Sequence, residues 1–365
     1  MKKEDFNINI SGEEIKINRP EPIVTDIDVV PYKKNDDPIY AVGDLLKGYN
    51  VLVIDFYSTG LAILNELKKY LRKQYSNKTY KGERIYRSEY NKLSKLLLIE
   101  IRNNEIAVKK APSIGWLKTL YPDYENFLLS FPKIQGLNSS WQWYINGISV
   151  PGLENKIYPW YGTYFPTRFE HIQLFDNWLS RYYGNKDIAF DIGIGSGVLS
   201  LQMIKNGFGK VYGTDINPNA IVGLDEHIRK NNLQNKLELS HGNLFANFNN
   251  TADLIVFNPP WLPASHKSEG IDKAIYYDET LFSSFFKEAS NHLNKDGMIV
   301  LLFSNLGEIA DSNFEHPIKK ELQEELRFEK ILFEQKKVKI ASKKTKRNIK
   351  TRDDEFVELW VLKLV

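Results

Sequence analysis

Residues 188–197 read Ile188-Ala189-Phe190-Asp191-Ile192-Gly193-Ile194-Gly195-Ser196-Gly197. A short apolar run of this kind, closed by turn residues, is the pattern of a buried strand. The glycines let the backbone turn tightly and approach a ligand, which side chains would prevent. Taken alone the loop fits a dinucleotide site, a phosphate cradle or a plain tight turn. Reading outward settles the architecture. A helix pattern from Phe169 to Tyr183 precedes this strand, and another from Val198 to Lys205 follows it. Strand patterns recur at Lys210 to Gly213, Leu237 to Ser240, Leu254 to Phe257 and Met298 to Phe303, with helix patterns over Asn219 to Asn232 and Thr280 to Leu293. A helix near Pro317 to Leu326 and two strands, Phe328 to Phe333 and Phe356 to Leu362, close the chain. Such alternation builds a largely parallel sheet covered on both faces. No helix pattern separates the last two strands, so they are expected to pair antiparallel. The fold class is α/β, with a seven-stranded, mostly parallel sheet and a terminal antiparallel hairpin.

The first part of the chain has a different grammar. Residues 1 to about 44 are polar and punctuated by proline, and they read as an irregular lead-in. Val51 to Ile54 is a short strand, followed by helical spacing of Leu61, Ile63, Leu64, Leu67, Tyr70 and Leu71. Two hairpins are expected, Leu96 to Ile101 with Glu105 to Val108, and Trp141 to Tyr144 with Ile148 to Val150 around Asn146-Gly147. The division expected is therefore a smaller α+β domain over 1–155, left with substrate recognition, and the α/β domain over 156–365.

Composition narrows the chemistry. Hydrophobic residues make up 42% of the 365, enough for a buried core, and the formal charge of +3 is too small to argue for nucleic acid globally. The absence of cysteine removes disulfides and thiolate chemistry, and the six histidines lack metal-ligand spacing, so no metal is expected. The N-terminus has no apolar signal core, and no apolar run approaches the ~20 residues that span a bilayer. The expectation is a cytoplasmic protein without membrane attachment.

Asp191 stands where a ligand amino group would want an anion. Asp215, in Gly213-Thr214-Asp215-Ile216-Asn217, lies about twenty residues beyond the glycine loop, where an acid can accept from two ribose hydroxyls. It can equally cap the next helix. The fourth strand ends in Asn258-Pro259-Pro260-Trp261, on the same carboxyl edge as the glycine loop. An amide nitrogen is a poor nucleophile because its lone pair is delocalised. The Asn258 side-chain carbonyl and the Pro259 backbone carbonyl can each accept an N–H, aiming that lone pair and stabilising positive charge as it develops. Pro259 and Pro260 stiffen the loop, and Trp261 can stack on a planar substrate.

These residues carry a resemblance. Residues from about 160 to 365 resemble the class I S-adenosylmethionine-dependent methyltransferases, Rossmann-like in fold. Asp191, Gly193, Gly195 and Gly197 match their first motif, and Asp215, with Ile216 beside it, matches their ribose-binding acid. The resemblance implies S-adenosyl-L-methionine as cofactor and places Asn243 and Leu244 beside the adenine, where the family often has aspartate. Asn258-Pro259-Pro260-Trp261 resembles the amino and amide N-methyltransferases. Pro166, Thr167 and Arg168 resemble the loop that closes over the cofactor in the glutamine N5-methyltransferases. The implied function is methyl transfer to an amide or amino nitrogen, on an RNA base or a protein glutamine. A small-molecule amine or nitrogen heterocycle is the alternative acceptor, and a cofactor-binding module without catalysis is the alternative of another class.

Two stretches bear on the acceptor. The rings Trp141, Trp143, Tyr144, Tyr158, Trp160, Tyr161, Tyr164 and Phe165 could stack on a substrate, with Trp160, Tyr161 and Tyr164 as the candidates, or simply pack two domains together. The acid-free basic stretch over 336–352 holds Lys336, Lys337, Lys339, Lys343, Lys344, Lys346, Arg347, Lys350 and Arg352. It reads as a solvated loop, or as a contact for RNA or a ribosome-linked protein.

Overall fold

The chain divides into two compact units, one of Arg19–Ile145 and one of Met1–Asn18 with Asn146–Val365. The computed structural model describes residues 7–10, 13–75, 80–246, 248–264, 275–339 and 354–365. The first residues are not the irregular lead-in the sequence promised. They form an antiparallel pair, β1 (Asn7–Ile10) and β2 (Glu13–Lys16), whose Ile10 and Ile15 are buried. Four-residue strands with one inward residue carry too little alternation to stand out.

The unit of residues 19–145 runs β3 (Val29–Tyr32), α1 (Pro38–Leu46), β4 (Asn50–Val53), α2 (Tyr57–Gln74), α3 (Tyr80–Ser94), β5 (Leu97–Arg102), β6 (Glu105–Ile106), α4 (Trp116–Leu120), β7 (Asn126–Ser130) and α5 (Phe131–Asn146). Strands β3, β4 and β5 are parallel, and β6 and β7 are antiparallel to β5. The hairpin expected at Asn103-Asn104 is present. The one expected at Asn146-Gly147 is not, because α5 occupies that stretch. Trp141 and Tyr144, three residues apart, both pack on Trp116, with ring centroids 5.3 and 4.6 Å from it. That spacing is a helix face. Gly147, at φ +66°, ends the helix, so the Asn-Gly pair marks a helix terminus here.

The larger unit continues with α6 (Glu170–Leu179), β8 (Ile188–Ile192), α7 (Val198–Lys205), β9 (Lys210–Asp215), α8 (Pro218–Lys230), β10 (Leu237–His241), β11 (Ala252–Phe257), β12 (Leu262–Pro263), β13 (Tyr276–Tyr277), α9 (Leu281–His292), β14 (Leu293–Ser304), α10 (Leu306–Ala310), α11 (Pro317–Lys320), a π-turn at Glu321–Glu325, β15 (Phe328–Lys337) and β16 (Phe356–Leu364). Seven strands form one sheet in the order β10-β9-β8-β11-β14-β16-β15, parallel except for β16, which runs antiparallel to both neighbours. All six residues of β11 are buried, as befits a central strand covered on both faces. One face is packed by α9, where the fully buried Phe285 touches Phe245, Phe257 and Phe286.

Local chemistry fixes where these elements start. Asn217 accepts from the Asn219 N–H, and Pro218 has no N–H to satisfy at the first helical position, so α8 begins there. Asn219 in turn accepts from the Asn18 N–H at 2.8 Å and donates to the Asn18 carbonyl at 2.8 Å. This pairing ties Asn18 to the larger unit, and the boundary between the units falls at about 145 rather than at 155. Buried Asp253 accepts from the Asp187 and Ile188 N–H groups, both at 3.0 Å, and so aligns the start of β8 with β11.

Truncating Phe285 to Ala should cost about 3–5 kcal/mol, because the surrounding rings cannot collapse into the space left. Urea titration of the purified protein checks this; a midpoint equal to wild type would show that α9 is not integral to this core.

Candidate functional site

The strand order reverses at β8, which pairs with β9 on one side and β11 on the other. Open parallel sheets hold ligands at the carboxyl ends of their strands, at such a switch point. Three loops meet this edge: 193–197 after β8, 216–217 after β9 and 258–261 after β11.

The loop after β8 is built for close approach. Gly193, Gly195 and Gly197 have φ of +67°, +53° and +77°. At Gly197 a Cβ would also stand 2.6 Å from Leu224 Cδ2, so any side chain there would displace the Leu224 tip of α8. At Gly195 a Cβ would stand 3.3 Å from the Tyr164 carbonyl, which shows how near the 160s segment lies to the loop. Asp215 ties the loop down: its Oδ2 accepts from the Gly195 N–H and its Oδ1 from the Asn217 N–H, each at 2.8 Å. An ionised carboxylate offers about four lone-pair sites, so two remain for a ligand. Burial raises the carboxyl of Asp215, against the pull of those two backbone donors.

Asp191 is 1% exposed. Its Oδ2 accepts from the Ser200 N–H at 3.0 Å and from the Ser200 hydroxyl at 2.6 Å, while Oδ1 has no partner. Burial pushes its carboxyl up to about 7, with the Ser200 bonds opposing and the Asp215 charge adding. A buried acceptor with an empty lone pair, beside a glycine cradle and a second acid, fits a ligand that brings a cation and a diol. Ile216, 51% exposed, offers an apolar surface next to Asp215. Leu244 is buried at φ +48°, its carbonyl accepting from the Thr214 hydroxyl at 2.5 Å, and neighbouring Asn243 is exposed.

On the other side of the switch point, Asn258 is half-buried and Pro259 buried. The Trp261 indole N–H donates to Asn258 Oδ1 at 3.2 Å and is shared with the Leu302 carbonyl of β14 at 3.3 Å. The Trp261 ring meets the His171 ring edge to face, with centroids 5.4 Å apart at 87°. Trp261 is half-buried and has packing partners within the fold on this side. His171 is 3% exposed with Nδ1 unpartnered, and burial lowers it to about 4, against the opposing charge of Glu170.

The ring-rich stretch does not act as one wall. Trp141 and Tyr144 belong to the first unit's core around Trp116. Trp160 is buried, its Cβ so close that a side chain on Gly223 would meet it at 2.4 Å, so it packs α8. Tyr161 is half-buried and raised to about 12 by burial, and its carbonyl accepts from Asn219 Nδ2 at 2.8 Å. Tyr164 is the more exposed of the three. Pro166 is buried and Thr167 exposed, while the Arg168 guanidinium is taken by buried Glu355 at 2.8 Å and does not stand free for a ligand. In the basic stretch, Lys343, Lys344, Lys346, Arg347, Lys350 and Arg352 lie outside the described residues. Lys336 donates to Gln173 Oε1 at 2.7 Å, and the Lys339 N–H to Glu170 Oε1 at 3.2 Å.

Sequence reasoning passed over Asn217, which caps α8, bonds Asp215 and donates to the Gly162 carbonyl at 2.9 Å. The Asn-Pro pair at a helix start was the available signal. It also passed over His171, for which no local signal exists, since its position in α6 reads as core.

The family model described as Methyltransferase small domain matches residues 174–341. A Methanocaldococcus jannaschii protein provisionally described as a protein N5-glutamine methyltransferase is 32% identical over 166 residues, 44% of this chain and 80% of that relative. The chain belongs to the S-adenosylmethionine-dependent methyltransferases. The ribosomal protein L11 methyltransferase of Alkaliphilus oremlandii is 36% identical to this methyltransferase over 80 residues, 22% of the chain and only 26% of that relative. Among solved structures, the ribosomal protein L11 methylase of Lactobacillus delbrueckii subsp. bulgaricus is 20% identical, covering 60% of this chain and 91% of its own, with a TM-score of 0.39. S-adenosylmethionine is the cofactor of the family, and the crevice of Asp191, the glycine loop and Asp215 fits its cationic and ribose ends. No helix among the described residues is long and apolar enough to cross a membrane.

The raised Asp191 gives the methyltransferase a pH signature. Its carboxyl sits above its ordinary value in the fold, so this contribution to stability is complete below about pH 4 and is lost as pH rises through about 7. Melting curves of the cofactor-free protein should fall over that window. Asp191→Asn should flatten this part of the fall, and an unchanged profile would show that Asp191 does not titrate there.

Proposed function

We propose that the methyltransferase acts on the carboxamide nitrogen of a glutamine side chain in a protein acceptor. One observation supports this above the rest: the Asn258 carbonyl, steadied by the Trp261 N–H, stands at the carboxyl end of β11, next to the strand that carries the glycine loop. The description of the Methanocaldococcus jannaschii relative points the same way.

When bound, S-adenosylmethionine supplies an electrophilic methyl carbon on a positively charged sulfur, which keeps the electron pair of the broken bond. Asp215 would hold the ribose hydroxyls on its two remaining lone-pair sites, and Asp191 Oδ1 would take the ammonium group. Ile216 would flank the adenine with the turn at Asn243 and Leu244, Leu244 by its backbone because its side chain lies in the core. The glycine backbone at Gly193, Gly195 and Gly197 would leave room for these contacts. On the acceptor side, Asn258 Oδ1 has one lone pair engaged by Trp261 and one left for an acceptor N–H. The Pro259 carbonyl takes the second N–H, and Pro260 keeps both acceptors in place. Two acceptors on one NH2 turn its lone pair toward the methyl carbon and share the positive charge that grows on nitrogen. The proton leaves to water after transfer, so no base is required. The unit of residues 19–145 serves recognition of the acceptor.

An amino group on an RNA base is the second reading, favoured by the density of Lys and Arg over 336–352. Incubating a cell extract with methyl-labelled S-adenosylmethionine separates the two. Label in a protein, mapped by mass spectrometry to glutamine, is the expected result; label confined to RNA would overturn the reading.

Two variants probe the roles. Asn258→Ala should lower turnover by about a hundredfold with cofactor affinity almost unchanged, because the interaction it loses grows in the transition state. A folded Asn258→Ala enzyme working at wild-type speed would defeat the mechanism. Asp215→Ala should do the reverse, weakening S-adenosylmethionine binding by roughly 1–3 kcal/mol through loss of a charged acceptor. Calorimetric affinity equal to wild type would take Asp215 out of the site.

A further inference from the structure

The mechanism above uses Asn258 but leaves open what sets its side chain. An Asn amide on a loop is free to rotate unless its neighbours hold it, and here the holder is the Trp261 indole N–H. That N–H is divided between Asn258 Oδ1 and the Leu302 carbonyl, at 3.2 and 3.3 Å. A shared donor of this kind keeps its aim only while the ring is fixed from behind. Trp261 packs against the core under α9, and the ring set against it there is His171, in the first turn of α6, edge to face at 5.4 Å.

The first turn of α6 is itself pinned at the carboxyl edge of the sheet. Glu170 Oε1 accepts from the Lys339 N–H just past β15, and Gln173 Oε1 accepts from Lys336. Arg168, two residues before Glu170, is paired with buried Glu355 just before β16. His171 is therefore a rigid wall. It is also an expensive one, since its Nδ1 is buried without a partner, and an unsatisfied buried nitrogen lowers stability. Phenylalanine would fill the same space without that cost. Residues that break a local rule in this way are expected at functional sites.

We infer that His171 is a positioning residue for methyl transfer, holding Trp261 in the placement from which its N–H orients the Asn258 carbonyl. The inference rests on the reading of Asn258 given above. The chain of contact runs from His171 to Trp261 to Asn258, and its signature is non-additivity. The wall acts only through the carbonyl, so once the carbonyl is gone, loss of the wall removes nothing further.

The test uses the full chain with His171→Ala, Trp261→Phe, Asn258→Ala and the His171→Ala/Asn258→Ala pair. Single-turnover transfer of labelled methyl into the protein fraction of a cell extract gives the rates. His171→Ala and Trp261→Phe should each slow transfer by about tenfold while S-adenosylmethionine affinity is kept. His171→Ala placed on Asn258→Ala should slow it no further. His171→Phe should restore the rate and raise the melting temperature, because the ring remains and the unpartnered nitrogen is gone. Indole 15N–1H spectra give a readout free of activity. Trp261→Phe assigns one of the seven tryptophan signals. That signal should move in Asn258→Ala and in His171→Ala, and stay in place in His171→Phe.

Multiplying rate losses in the double variant, or an unmoved Trp261 signal in His171→Ala, would overturn the positioning role. If His171→Ala does not fold, His171→Leu keeps the volume but not the flat wall and carries the same expectations. The failures are distinguishable. A slow Asn258→Ala beside a full-speed His171→Ala sinks only this inference. A full-speed Asn258→Ala sinks the reading of the reaction, and the positioning role with it.

Discussion

The larger unit turns on the Asp215 carboxylate. One oxygen holds the Gly195 N–H of the loop after β8, and the other holds the Asn217 N–H of the turn after β9. Through Asn217 the same point reaches the start of α8 and the Gly162 carbonyl, and through Asn219 it reaches Tyr161 and Asn18. Two strand ends, a helix start and two distant segments are thus referred to one side chain. Hydrogen bonds to an ionised acceptor are about twice as strong as neutral ones. They oppose, only in part, the desolvation that raises this carboxyl. A ribose placed on the remaining lone pairs would therefore meet a carboxylate already fixed in direction, with little ordering left to do.

Stability has been yielded around this hub. Thr163 Oγ1, Glu170 Oε2, His171 Nδ1, Asp191 Oδ1 and Gln202 Oε1 are all buried and without partners among the described residues. Each such group costs about 1–3 kcal/mol, and native structures hold few of them. Here they gather between residues 163 and 202, on the segment that approaches the glycine loop and on the loop's own strand and helix. The packed face under α9 shows no comparable cost, since its contacts are ring on ring. Polar groups left waiting beside a crevice are what a charged ligand can satisfy, and the Asp191 carboxyl, held near neutrality by burial, is the clearest of them.

Much of this is legible in the sequence. From 169 to 303 the long strands and helices, the glycine loop, Asp215 and the Asn-Pro-Pro-Trp turn fall on the expected elements, because long periodic segments and glycine or proline punctuation are local signals. The two-residue strands β12 and β13 are too short to show. The misreadings share a cause. The sequence suggests a hairpin of Trp141 to Tyr144 with Ile148 to Val150 because Asn146-Gly147 suits a tight turn, and only the packing of Trp141 and Tyr144 on Trp116 decides for a helix. Local pattern assigns Arg168 and Trp261 to a ligand, while the fold gives each a tertiary partner, Glu355 or His171, over eighty residues away in sequence in both cases. Side-chain direction at a site is set by such distant partners, and a local pattern does not contain them.

The placement of charge bears on why an uncharged pair of carbonyls, rather than a further acid, stands at the acceptor side. In methyl transfer from a sulfonium to a neutral nitrogen, the net charge does not change; one positive charge leaves sulfur and arrives at nitrogen. An acid that feels both positions alike favours ground state and transition state equally, and so tightens binding without adding speed. On the proposed reading Asp191 and Asp215 hold the cofactor's ammonium and ribose, and so serve binding rather than speed. Rate comes from groups nearer to nitrogen than to sulfur, whose interaction grows as the charge moves. On the proposed reading those are the Asn258 and Pro259 carbonyls. Their dipoles are strong enough to share a developing charge and too weak to trap an ammonium in its place, so the site favours a nitrogen that is neutral when it arrives.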